Sequence, residues 1–117
     1  MAHIAMILRK PPYGDINAAE AVRHALGAAS DGMKVSLILV DGGVLLAKKG
    51  QDDTGAVLTN LETTLKDCID MGVDVYADYL SLVEHSVKQE ELPAGLQVKN
   101  ESDIAYVVKA ADKTMLF

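Results

Sequence analysis

The scarcity of aromatic residues and cysteine limits what this chain can be. It has no tryptophan, and aromatic residues make up only 4% of its 117 residues, although 50% of the residues are hydrophobic. A folded core must therefore be built from aliphatic side chains, which is typical of a compact α/β interior. The one cysteine, Cys68, cannot form a disulfide within the chain, and this agrees with a reducing compartment.

Basic residues are in deficit as well. The chain has 11 Lys and Arg against 17 Asp and Glu, a net charge of −6 at pH 7. Such a chain repels a phosphate backbone, so we expect no nucleic-acid partner. No apolar run approaches the roughly 20 residues that span a bilayer, and the first residues do not form a signal peptide. We therefore expect a cytoplasmic protein without a membrane partner, folded as a single domain over residues 1–117.

Apolar runs and helical periodicity alternate along the chain, which predicts parallel strands joined by helical crossovers. The fold class that follows is a three-layer α/β/α sandwich with a mostly parallel five-stranded sheet, flavodoxin-like in general shape. An Asn17–Glu20 capping box is predicted to open the first helix, and Ser81 to cap a short one. The predicted strands are 3–9, 35–40, 73–77, 96–99 and 114–117, and the predicted helices are 17–29, 56–71, 82–87 and one starting at 102.

The carboxyl ends of the strands are the expected working edge of this fold, because ligands of parallel sheets bind there. Two cations lie at the end of the first strand, where the following helix could also attract an anion. Asp41 and the acidic residues Asp52 and Asp53 do not form a loop of ordered alternating oxygen ligands, so we expect no metal site. Neither a Walker pattern nor G-x-G-x-x-G is present, and no cofactor is expected. The candidate ligand-binding residues are Arg9, Lys10, Tyr13, Asp41, Gly42 and Asp78.

A short apolar segment between glycines also requires an explanation. Val44, Leu45 and Leu46 follow Asp41-Gly42-Gly43 and are too few to form a self-sufficient helix. Three consecutive aliphatic side chains need a cover, and exposed apolar patches commonly mark interfaces. We therefore predict that this segment is buried against another chain.

Several spaced motifs together resemble the DsrE/DsrF sulfur-relay family, and most of all its DsrF/TusC branch. The resemblance covers nearly the whole chain in register. Its motifs are Arg9-Lys10-Pro11-Pro12-Tyr13-Gly14 with Glu20-Ala21, Asp41-Gly42-Gly43-Val44, Gly50-Gln51-Asp52-Asp53-Thr54-Gly55 with Asn60, Ser81-Leu82, Asn100-Glu101-Ser102-Asp103, and Phe117.

The resemblance implies a DsrEFH-like fold and a subunit of an intracellular, TusBCD-like assembly that passes persulfide sulfur between cysteines. It also implies partners, either further copies of this chain or DsrE/DsrH-like subunits, in a homotrimer or hexamer. Relay members of the family have a cysteine at the end of strand three, where this sequence has Asp78. The departure favours an accessory, non-catalytic subunit over a sulfur carrier.

Two alternatives stay open at this stage. Cys68 could itself carry a persulfide, which would require an accessible thiolate with a lowered pKa. Its helical spacing instead predicts a core position, and its neighbours Asp67 and Asp70 offer no cation. The other alternative is a module that binds a small anion or small ligand at the strand-end edge through Arg9 and Lys10.

Overall fold

The computed structural model describes residues 2–12, 16–48 and 61–117. Within them, strands alternate with helices and 3₁₀ segments in the predicted order. The elements are β1 (His3–Leu8), α1 (Asn17–Ser30), β2 (Lys34–Leu39), a first 3₁₀ helix (Asp41–Ala47), α2 (Leu61–Asp70), β3 (Asp74–Asp78), α3 (Tyr79–Glu84), a second 3₁₀ helix (Gln89–Glu91), β4 (Gln97–Lys99), α4 (Glu101–Ala110) and β5 (Lys113–Leu116). Residues 13–15 and 49–60 lie outside this description, so the predicted start of the second helix is not tested.

The five strands form one sheet in the order β4-β3-β2-β1-β5, and every neighbouring pair is parallel. This confirms the predicted fold class, a sheet of five parallel strands with helices on its faces. In the register of the three central strands, Leu8 lies beside Leu39, and Leu39 beside Ala77. The carboxyl ends of β1, β2 and β3 are therefore level with one another at one edge of the sheet. Among the described residues, no helix has the length and apolarity needed to cross a bilayer.

The helices divide unequally between the two faces of the sheet. α1 contacts β1 and β2 and packs against α2, so these two helices form one layer. The connection through α4 runs back across the sheet from β4 to β5, opposite in direction to the connection through α1. Right-handed crossovers of opposite direction lie on opposite faces. α4 therefore covers the other face, where it contacts β1 and β3.

Burial follows the alternation of side chains along the strands. Met6 and Leu8 of β1 face α1 and α2, whereas Ala5 and Ile7 face α4. The larger core therefore lies between the sheet and the α1–α2 layer. Its fully buried members include Met6, Leu8, Val22, Ala25, Leu37, Leu39, Leu65, Cys68 and Val75.

Two predicted helix starts are wrong in detail. Ile16, not Asn17, is the N-terminal cap residue of α1, and it makes no side-chain capping bond. Glu20 forms an ion pair with Arg23 one turn further along instead of closing a capping box. At α3 the cap is Asp78 and not Ser81, because the Asp78 side chain accepts the hydrogen bond of the Ser81 amide.

The interface predicted for Val44, Leu45 and Leu46 is also wrong for two of its three members. Val44 is 0% exposed and Leu46 1% exposed within this single chain. They lie on the first 3₁₀ helix, which packs against α2, α3 and the strands β2 and β3. The segment's cover is the chain's own core, and only the half-buried Leu45 retains accessible surface.

Candidate functional site

The strand-end edge brings together most of the residues that the sequence singled out. Arg9 directly follows β1, and its amide donates to the carbonyl oxygen of Phe117 over 3.2 Å. Asp41 and Gly42 begin the 3₁₀ helix after β2, and Asp78 ends β3 beside Lys99 of β4. The parallel register thus places residues of five separate segments along one edge. Tyr13 lies outside the described residues.

Ser81 joins the ends of β2 and β3 at this edge. Its hydroxyl donates to Asp78 Oδ2 over 2.7 Å and accepts from the Asp41 amide over 2.8 Å. Its own amide donates to the same Asp78 oxygen over 3.1 Å. Ser81 is buried, so this hydroxyl is a fixed structural link and not an accessible nucleophile. The Asp78 carboxylate is held as the cap of α3.

Sequence reasoning missed the linking role of Ser81. The local signal is ambiguous, because aspartate and serine are both preferred N-cap residues and the sequence does not say which of Asp78 and Ser81 is the cap. The contact with the Asp41 amide has no local signal, because the two residues are 40 positions apart in the chain.

The turn after β2 lies tightly against the end of β1. A side chain at Gly42 would place its Cβ atom 2.9 Å from Pro11 Cδ. A Cβ atom at Gly43 would overlap the carbonyl oxygen of Leu8, a backbone atom that cannot move aside. Asp41 adopts a positive φ of 50°, which is uncommon outside glycine but tolerated by aspartate. These close contacts fix the path of the chain at the centre of the edge.

The charged side chains at the edge differ in their surroundings. Arg9 and Lys10 are exposed, whereas Lys99 is half-buried with its Nζ 5.7 Å from the centre of the Tyr76 ring. Burial, and then the charge of Asp74, raise the pKa of the Tyr76 phenol. The Tyr76 phenol therefore stays neutral at neutral pH, and the face of its ring contacts the lysine. Among the described residues, no three His, Cys, Asp or Glu side chains are grouped to hold a metal ion.

Exposed apolar residues border Asp78. Tyr79, Leu80 and Val83 of α3 are each more than half exposed, and Val98 of β4 lies close by along a small cavity next to α3. These four residues, which we call the α3 surface, were not predicted as a contact site. The three α3 residues are exposed because α3 is short and buries only Ser81 and Leu82.

Cys68 lies away from this edge. It is on the last turn of α2, near the start of β3, whereas Asp78 is at the end of β3. Its side chain is 0% exposed, as the helical spacing predicted, and its Sγ atom donates to the Val22 carbonyl oxygen over 3.4 Å. Burial, reinforced by the charge of Asp67, raises the pKa of the thiol to about 11. The site residues at the edge and the only cysteine are therefore separated by the length of β3.

The fold and the edge define the class: a small parallel α/β sandwich in which the aspartate at the end of β3 caps the next helix. The DsrE/DsrF-like family model matches residues 2–117. The chain belongs to the DsrE/DsrF-like family, as the sequence motifs predicted.

Comparison with individual proteins agrees with this assignment. The chain is 31% identical to the intracellular sulfur oxidation protein DsrF of Allochromatium vinosum over 89% of this chain and 79% of DsrF. It is 30% identical to the uncharacterised protein MK0008 of Methanopyrus kandleri over 97% of this chain and 93% of that one. The crystal structure of YchN from E. coli superimposes over 100% of both chains with a TM-score of 0.91 at 19% identity, a likeness of fold.

Proposed function

We propose that this protein is an accessory subunit of a sulfur-relay-type assembly, of the DsrF/TusC kind, that holds no sulfur itself. Family membership and the similarity to DsrF support a role of the sulfur-relay type. The observation that carries the accessory role is the burial of Cys68, the only cysteine of the chain. The subunit contributes surface to the assembly, and the transferred sulfur resides on a cysteine of another subunit.

The chemistry of persulfide transfer explains why burial is decisive. In each step a thiolate attacks the outer sulfur of a donor persulfide, a new S–S bond forms, and the donor's inner sulfur leaves as a thiolate. The attacking sulfur must be ionised and reachable. Cys68 meets neither condition, since it has no exposed surface and its pKa is raised to about 11.

Asp78 supports the same conclusion from the other end of β3. The resemblance of the motifs implies that it takes the position of the cysteine of relay members, and a carboxylate cannot form a persulfide. Its oxygen already accepts two hydrogen bonds from Ser81. The exposed α3 surface next to it is where we expect a sulfur-carrying subunit of DsrE/DsrH type to bind, within a trimeric or hexameric assembly.

Mass spectrometry tests the absence of sulfur carriage. After incubation of the folded protein with a low-molecular-weight persulfide and removal of the excess, we expect no added sulfur, which would be about 32 Da. Unfolding in denaturant before the same incubation should allow one sulfur to add to Cys68. That control separates burial from any inability of this thiol to react.

A double variant tests whether a thiol at the end of β3, in place of Asp78, can take up sulfur. Combining Cys68→Ala with Asp78→Cys moves the single thiol to the end of β3, where the native side chain is partly exposed. We expect this variant to gain one sulfur while folded. Addition of sulfur to Cys68 of the folded wild-type protein would establish the alternative, a persulfide carrier, and contradict the proposal.

A further inference from the structure

A cavity of about 450 Å³ lies between α1 and the strands β1 and β5, on the face of the sheet opposite α4. Met6 and Met115 line it from the strands, and His24 and Gly27 line it from the helix. A side chain at Gly27 would meet no atom within 4 Å, so α1 itself leaves this space open. Cavities that combine apolar walls with a few polar groups are common binding sites for small ligands. This one is separate from both the α3 surface and the strand-end edge.

Two methionines lie side by side on the strand side of this cavity. Met6 of β1 and Met115 of β5 are partners in the register of the two parallel strands. Partners on neighbouring strands are about 4.8 Å apart and project from the same face, so the two thioether side chains are neighbours. Methionines often fill irregular space in a core, and a pair of them alone would indicate no more than that. The histidine on the helix side adds a different kind of ligand.

His24 has the hydrogen bonding of a metal-binding histidine. Its Nδ1 atom lies 2.7 Å from the backbone carbonyl oxygen of Glu20, which can only accept, so Nδ1 carries the proton of the neutral ring. Nε2 is then free of a proton, and no described residue forms a hydrogen bond with it. Histidines that bind metal ions typically donate their other ring N–H to a carbonyl or carboxylate oxygen in this way. The Phe117 ring, centred 5.7 Å from the His24 ring, packs on it and limits its rotation.

The ligand types and the nearby charges select the ion. Calcium and magnesium ions require oxygen ligands, and zinc sites use thiolate, imidazole and carboxylate groups. One imidazole with two uncharged thioethers suits the soft ion Cu(I) instead. Arg23 also lines the cavity, but its positive charge is compensated by an ion pair with Glu20. Glu20 Oε2 is also 3.7 Å from His24 Nδ1, so a cation at this histidine meets no net repulsion.

We propose that His24, Met6 and Met115 form a binding site for one Cu(I) ion, through His24 Nε2 and the two thioether sulfur atoms. The expectation of no metal site rested on oxygen ligands, and these three ligands are too far apart in the chain to form a spacing motif. The site goes beyond the proposed function, because it involves neither Cys68 nor Asp78.

Metal titration of the full chain carrying Cys68→Ala tests the site, since this change removes the only thiol, a competing ligand for soft ions. Competition with a chromogenic Cu(I) chelator, with ascorbate present to keep the copper reduced, measures the affinity. We expect one Cu(I) per chain. Ag(I), a soft ion of the same charge that needs no reductant, should bind with the same stoichiometry in native mass spectrometry. An equal concentration of Zn(II) should not displace the Cu(I), because thioethers are not among the usual zinc ligands.

Met115→Leu in the same background is the decisive variant, because leucine keeps the apolar volume and removes the sulfur atom. It should weaken Cu(I) binding by at least about tenfold, and so should His24→Gln, since even the outer partners of metal ligands are worth about 10- to 100-fold in affinity. Circular dichroism checks that both variants are folded.

Two matched controls should bind Cu(I) as their parent does. Met33→Leu removes a thioether from the same cavity, but Met33 precedes Leu37, the β2 partner of Met6, by four residues, or about 13 Å of strand. His85→Gln removes an exposed histidine that follows α3.

Three results would overturn the proposal: no stoichiometric Cu(I) binding by the folded Cys68→Ala protein, a Met115→Leu variant that binds as its parent, or an equal loss of binding in Met33→Leu. The second of these would mean that the cavity accepts only apolar groups. None of these results decides whether Cys68 takes up sulfur. Conversely, sulfur on Cys68 of the folded wild-type protein would contradict the proposed function and leave the Cu(I) site standing.

Discussion

Cys68 and Asp78 stand at opposite ends of β3, and their surroundings give them opposite chemistry. The thiol is buried between α1 and α2, and burial keeps it protonated. The carboxylate lies at the surface edge, where the Ser81 amide and hydroxyl hold it. The core position of Cys68 was predictable from helical periodicity. The cap formed by Asp78 was not, since serine and aspartate are both good caps and only the backbone angles at the helix start decide between them.

The raised pKa of Cys68 predicts a pH dependence of stability. The thiol ionises near 9.0 in the unfolded chain and near 11 in the folded protein. Between these values the folded state retains a proton that the unfolded state has lost, so the free energy of unfolding should fall as the pH rises. The slope is at most about 1.4 kcal/mol per pH unit for one proton.

Urea denaturation of wild type and Cys68→Ala at several pH values from about 8 to about 11 measures this slope. Lysines and tyrosines titrate in both proteins, so the difference between the two isolates Cys68. We expect the stability advantage of the wild type over the variant to shrink above pH 9. A constant difference across the whole range would show that the thiol ionises equally in both states.

At the scale of elements, the turn from β2 into the first 3₁₀ helix is the most constrained part of the edge. Gly43 is required there because the Leu8 carbonyl oxygen occupies the space of a Cβ atom. The sequence predicted a turn at Asp41-Gly42-Gly43 and an apolar segment in need of a cover. It could not predict whether the cover was another chain or the same one, because apolar side chains at either location have the same pattern.

Two glycine-to-alanine substitutions should have opposite effects. Gly43→Ala should destabilise the protein by more than about 2 kcal/mol, because the new methyl group meets backbone atoms. Gly27→Ala, inside α1 with open space at its Cβ position, should stabilise it by about 0.5 to 1 kcal/mol. Thermal or urea denaturation of the two variants measures both effects. Equal stabilities would mean that the turn does not pass so close to Leu8.

At the scale of the whole molecule, the helices on the two faces of the sheet are buried to different extents. The α1–α2 layer encloses a continuous aliphatic core, and its residues were predictable from periodicity, as was the parallel sheet. The apolar side predicted for the last helix is present in α4, but none of its members is fully buried. A sequence pattern identifies the apolar side of a helix and not how much of that side the same chain covers.

Leu46 provides a test of which surfaces belong to the core. Leu46→Ala should lower the free energy of unfolding by about 2 to 5 kcal/mol, because a fully buried side chain is truncated. It should leave the particle mass unchanged under conditions where the protein stays folded. Met71→Ala, at an exposed position, should change stability by less than about 0.5 kcal/mol. A change in particle mass without loss of stability would instead show that Leu46 lies at an interface between chains.

The position of β5 has a consequence for how the molecule assembles during synthesis. β1 leaves the ribosome well before β5, its outer neighbour in the sheet, and the His3 amide donates to the Asp112 carboxylate, 109 residues further along the chain. Until that strand arrives, β1 presents an open row of backbone donors and acceptors, the kind of edge on which chains aggregate. During synthesis the chain is therefore exposed to aggregation along β1 until β5 joins the sheet.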